Sequence, residues 1–161
     1  MKLFISWSGK RSQRIGHSLY DSLEAFLQGT EPFFSPEGIE KGASWFDTLS
    51  RQLGETNFGI ICLTPENRLN PWLLFEAGAL AKHIKAANVC PVLFGLTPDD
   101  IEGPLAQFQL TSFTKADIER MCGTINSRLE RKLGPRPFAT AFEAFWTTTD
   151  AVIRECQEIN A

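Results

Sequence analysis

The chain has 161 residues, 43% of them hydrophobic and 22% charged, with a formal net charge of −3. A domain of this size buries about 70% of its extended-chain surface, so it folds without disulfides or a structural metal. The acidic balance excludes an electrostatic footprint for nucleic acid, and no apolar run approaches the ~20 residues of a membrane span or has the make-up of a signal peptide.

"KLFISW" (2–7) is the first apolar run of strand length. Residues 10–27 then place Ile15, Leu19, Leu23 and Phe26 on one helical stripe, with Arg, Gln and Asp opposite. "EPFFS" (31–35) is a second strand, 44–54 a second helix, and "FGIICL" (58–63) a third strand. A third helix follows over 71–86, then a fourth strand in "VCPVLFGL" (89–96) and a fifth near "FQLTSF" (108–113). Two more helices, about 115–132 and 138–158, are separated by Gly134, Pro135 and Pro137. Arg120, Arg128, Arg131, Lys132 and Arg136 gather there and read as a solvated helix face. Cys62, Cys90, Cys122 and Cys156 form no CxxC pair. They predict neither zinc nor disulfides; Cys62 and Cys90 fall inside apolar runs, where free Cys behaves as a small hydrophobe, and the expected setting is a reducing cytoplasm.

Strands alternating with helices, the strands apolar throughout, predict a parallel sheet covered on both faces. The expected architecture is a flavodoxin-like three-layer α/β fold with a five-stranded sheet in order 2-1-3-4-5. It forms one domain over 1–161, with a core at 2–113 and C-terminal helices at about 115–158. Such sheets bind ligands at the carboxyl ends of strands 1 and 3, where the winding reverses. The loops expected there are "SWSGKR" (6–11), "SPEGIEKG" (35–42) and "TPENRLNP" (64–71).

Several occupants of this fold are excluded. A phosphorylated receiver needs acids after strand 1 and an Asp ending strand 3, where this chain has Ser6-Trp7-Ser8 and Leu63-Thr64-Pro65. A phosphate loop needs a glycine where Phe4 stands and a hydroxyl residue where Arg11 stands. The GxGxxG fingerprint is absent.

Between Arg68 and Lys82 the one charged residue is Glu76, among Trp72, Leu73, Leu74, Phe75, Ala77, Ala79 and Leu80. Burying a carboxylate costs several kcal/mol unless it is paired or protonated. Asn70 is a suitable N-cap and Pro71 suits the first helical position. At 1.5 Å per residue Glu76 then lies roughly 8 Å from the helix start, one turn beyond Trp72 on a shared face. An indole face stacks on a flat cationic ring such as nicotinamide. A carboxylate stabilises positive charge developing on an adjacent ribose carbon, as in glycoside cleavage. Nicotinamide leaves NAD+ as a neutral amine, so a second acid is not required. Against this stands the plainer reading of an acid paired with Arg or Lys, or reaching solvent.

"FISWSG", "SPEGIEKGASW", "CLTPEN" and "PWLLFEAGAL", in that order and each at an element boundary, resemble bacterial Toll/interleukin-1 receptor (TIR) domains. The resemblance runs from residue 2 to about 113. It implies a domain that cleaves NAD+ as substrate, without metal or other cofactor, to ADP-ribose or a cyclic ADP-ribose isomer in bacterial antiviral defence. The family's catalytic Glu falls on Glu76 and its aromatic partner on Trp72. Its substrate-contacting loop corresponds to Ser6, Trp7, Ser8, Lys10 and Arg11, with Lys10 and Arg11 toward the pyrophosphate. Trp45 lines the pocket or anchors the second helix. The segment containing Ser35, Pro36, Gly38 and Gly42 corresponds to the BB loop, which borders the pocket and serves head-to-tail assembly with other TIR copies. A downstream effector or a fused sensor module is a further implied partner; nucleic acid and membrane are not. The chain departs from many members at Trp7-Ser8-Gly9, where they carry an aromatic-basic sequence.

Two other functions compete. A non-catalytic adaptor would use TIR–TIR contacts alone, but it has no reason to bury an acid beside an indole. A nucleoside deoxyribosyltransferase has a related sheet and a Glu nucleophile, and the "SPEGIEKG" loop argues against it.

Overall fold

The structure is a computed structural model and describes residues 1–34, 51–83 and 88–158. Five strands, β1 (Lys2–Ser6), β2 (Glu31–Phe34), β3 (Phe58–Leu63), β4 (Val89–Leu93) and β5 (Thr111–Ser112), form one sheet in the order β2-β1-β3-β4-β5. Every pair is parallel; β3 is the middle strand, and β1 lies between β2 and β3, pairing Phe4 to Phe33 on one side and to Gly59 on the other. This is the order the sequence predicts, and it places the reversal of winding between β1 and β3.

Alternation along the strands divides the core into two layers. Leu3, Ile5, Ile60, Cys62, Val92 and Phe94 face one side, packed by helices α1 (Lys10–Phe26), α3 (Lys115–Ser127) and α4 (Pro135–Glu158). Phe4, Ile61, Leu63 and Leu93 face the other, packed by α2 (Pro71–His83) through Leu73, Ala77 and Leu80. Leu53, in a helical stretch over 51–54, joins this second layer. The rest of the expected second helix (44–50), Ser35 of the second strand, and residues 84–86 of the third helix lie outside the described residues.

Local chemistry sets the helix ends. α1 starts after Gly9, whose φ of 88° is open to glycine but strained for other residues. At α2, Asn70 Oδ1 accepts the Trp72 amide at 2.8 Å, as its N-cap role predicts. The last two helices differ from expectation. α3 stops at Ser127 rather than 132, because Asn126 turns the chain back by bonding both polar backbone groups of Leu133, at 2.8 and 2.9 Å. α4 starts at Pro135 rather than 138. Its first amide bond runs from Phe138 to Gly134 O at 2.9 Å, so Pro135 and Pro137 occupy a first turn whose N–H groups need no intrahelical acceptor. The fifth strand is two residues long; the chain before it forms 3₁₀ turns at Pro98–Asp100 and Gly103–Gln107. Arg120, Arg128, Arg131, Lys132 and Arg136 are exposed, but they do not share a helix face: Arg120 is on α3, Arg136 on α4, and the other three lie in the connection between them.

Candidate functional site

The carboxyl ends of β1 and β3 and the first two turns of α2 meet at the winding reversal. Ser6 is the last residue of β1, and its even position turns it to the α2 side with Phe4. Glu76 lies on the inner side of α2, beside Leu73, Ala77 and Leu80. Both are wholly buried, and the Ser6 hydroxyl donates to Glu76 Oε2. The acid is therefore held at the crevice end of the sheet by a hydroxyl from the end of β1.

Trp72 is half-buried against the same layer. Its ring stacks on Phe75, with centroids 5.6 Å apart and planes inclined by 27°. Phe75 itself is 43% exposed. The indole thus stands near the mouth of the site while the carboxylate lies deeper. In sequence Phe75 is one of the apolar neighbours of Glu76; its place three residues after Trp72 is the spacing that brings the two rings together.

The loop after β1 is bound to the loop after β3 by a polar network. Asn67, nearly buried, donates from Nδ2 to Ser8 O (3.1 Å) and Cys62 O (3.0 Å), and its Oδ1 accepts the Thr64 amide (2.8 Å). Ser12 Oγ donates to Cys62 O at 3.0 Å and accepts the Ser8 amide at 3.3 Å. Asn70 Nδ2 donates to Ser8 Oγ at 2.9 Å. Asn67 and Ser12 were not visible as site residues in the sequence, since only the folded chain brings loops some sixty residues apart into contact.

The remaining candidates are distributed as follows. Lys10 is exposed at the first position of α1. Arg11 pairs with Glu66 at 2.8 Å, joining the same two loops. Trp7 does not approach Glu76. It is buried in the opposite layer, its indole packed near His17 and Phe34 at centroid distances of 6.3 and 6.4 Å. The reason is strand geometry: residues 6 and 7 are consecutive, so their side chains leave on opposite faces. Trp45, Ser35, Pro36, Gly38 and Gly42 lie outside the described residues.

A parallel sheet in this order, with a buried acid presented to the switch-point crevice, defines a class of α/β domain. The profile of the TIR domain family matches residues 3–126, most of the chain, and the protein belongs to that family. Among solved structures the chain is similar to the TIR domains of the activated Roq1 resistosome directly recognizing the pathogen effector XopQ. The identity is 16% and the TM-score 0.46, over 99% of this chain and 85% of that one. No curated protein matches the chain.

Proposed function

We propose that this TIR domain cleaves NAD+ at the bond between nicotinamide and ribose. The observation that carries the reading is the wholly buried Glu76, held by Ser6 at the carboxyl end of β1. As the glycosidic bond breaks, its electron pair returns to the pyridinium nitrogen and nicotinamide leaves neutral. The ribose carbon becomes electron-poor, and the Glu76 carboxylate stabilises it in a setting shielded from water, where such charge–charge attraction is strongest. Capture by water gives ADP-ribose and releases one proton. Capture by a nucleophile within the same molecule gives a cyclic isomer. Trp72 supplies a ring face for the nicotinamide at the mouth. Following the family resemblance, we place this activity in bacterial antiviral signalling, with self-association as its trigger. Because Glu76 has no solvent exposure, turnover requires a movement that opens a path to it.

The test is incubation of assembled protein with NAD+ and separation of the products. Nicotinamide release is expected from the wild type, with a loss on the order of 100-fold or more in Glu76→Gln. The amide oxygen of Gln still accepts from the Ser6 hydroxyl, so the variant keeps that hydrogen bond and its fold. Release at the wild-type rate by a folded Glu76→Gln rejects the assignment. An assembled wild type that releases none is an adaptor.

A further inference from the structure

The polar network beside the site has a second consequence, which rests on the NAD-cleaving reading. Ser8 has each of its polar groups engaged: its amide by Ser12, its carbonyl by Asn67 and its hydroxyl oxygen by Asn70. Asn70 in turn uses both ends of its amide. Oδ1 caps α2 at the Trp72 amide, and Nδ2 reaches Ser8. The helix that carries Glu76 is therefore tied to the end of β1 at two places, Asn70 to Ser8 and Glu76 to Ser6. Six residues separate the two ties on α2, about 9 Å along its axis.

We propose that Asn70 is a positioning residue for the reaction, acting through its bond to Ser8. Packing through Leu73, Ala77 and Leu80 holds α2 against the sheet without directional bonds, and two polar ties add fixed points that set its tilt and its advance. The second tie thereby sets where the Glu76 carboxylate lies relative to the ribose. Capping alone does not require this residue, because Ser, Thr or Asp caps as well. What Asn adds is a donor long enough to cross to the neighbouring loop while its oxygen caps.

Two substitutions remove the tie from opposite ends. Asn70→Ser keeps a capping oxygen and loses the donor; Ser8→Ala removes the acceptor and leaves the cap untouched. Ser8→Thr retains the hydroxyl and serves as the rescue. Displacements of about 1 Å at a reacting group cost up to about 100-fold. We expect kcat for NAD+ cleavage to fall on the order of tenfold or more in Asn70→Ser and Ser8→Ala, with KM within about twofold and unfolding midpoints near wild type. The double variant should be no slower than the slower single one, since both delete the same bond. Ser8→Thr should restore most of the rate. Wild-type kcat in folded Asn70→Ser and Ser8→Ala overturns this inference while leaving the role of Glu76 intact. Losses that merely follow lost stability, or that multiply in the double variant, overturn it as well. An assembled wild type inert toward NAD+ overturns both readings together.

Discussion

At the scale of single residues, the site contrasts a sealed acid with an accessible ring. Glu76 is legible in sequence because no other charge occurs between Arg68 and Lys82, and its burial follows from its apolar neighbours. Its hydrogen bond to Ser6 is less so, because a contact spanning seventy positions depends on the register of the whole sheet. Trp7 shows the limit most clearly. A motif places it beside Ser6, and strand alternation sends it to the other layer. Trp72 stacks on Phe75, so the two rings together form an aromatic surface on the first turns of α2. Ring stacking contributes about 0.5–1.5 kcal/mol beyond area, a factor of up to about tenfold. We predict that Trp72→Ala lowers kcat/KM for NAD+ by about that factor, and Trp72→Phe by much less, because a ring face remains. Steady-state kinetics normalised to folded protein checks this. If Trp72 serves packing alone, the alanine variant loses thermal stability and keeps its activity per folded molecule.

At the scale of elements, α2 is set on the sheet by a close approach as well as by its polar ties. A β-carbon added at Gly59 would lie 2.9 Å from Leu80 Cδ1, and Leu80 is wholly buried, so its side chain would have to shift within the packed core. Gly59 is the second residue of β3, paired with Phe4, so the absent side chain is what lets the helix lie close. Gly59→Ala should cost about 1–3 kcal/mol of stability through overpacking. It should also lower NAD+ turnover in the fraction that remains folded, because Leu80 and Glu76 sit one turn apart on the same helix. Urea unfolding measures the first and single-turnover rates the second; an unshifted midpoint would sink the packing argument. The strands themselves were legible because each is a short apolar run between turn residues, and β3 has the predicted bounds. The two 3₁₀ turns were not. Their determinants, Thr97 capped by Asp100 and a positive φ at Gly103, are local polar and backbone features with no periodicity to detect.

At the scale of the whole molecule, one layer of the core carries all four cysteines as free, buried thiols. Burial pushes Cys62 and Cys122 far above the ordinary value of 9.0, and Cys90 up to about 11. Above pH 9 the unfolded chain loses these protons while the folded chain keeps them, so stability falls as pH rises, and below pH 9 these groups add no slope. Each thiol contributes up to about 1.4 kcal/mol per pH unit in that window. Unfolding midpoints under reducing conditions at pH 8 and pH 10 should therefore separate, and Cys122→Ala should narrow the gap even where it lowers both values. The opposite layer raises a different question, that of control. A domain that hydrolyses NAD+ continuously would exhaust its own cell, and a carboxylate with no solvent exposure suits a resting state of low activity. We propose that head-to-tail contact between copies opens the path to Glu76, with Ser35, Pro36, Gly38 and Gly42 in the contacting segment. Such a heterologous contact does not close on itself and can extend into filaments. Specific activity should then be low in dilute protein and climb with concentration, crowding or fusion to an oligomeriser. Gly42→Val should blunt that rise without altering the circular dichroism of the fold. A verified monomer with full activity, unchanged across a dilution on the order of a thousandfold, from micromolar to nanomolar, would show that Glu76 is reached without a partner and that control lies elsewhere.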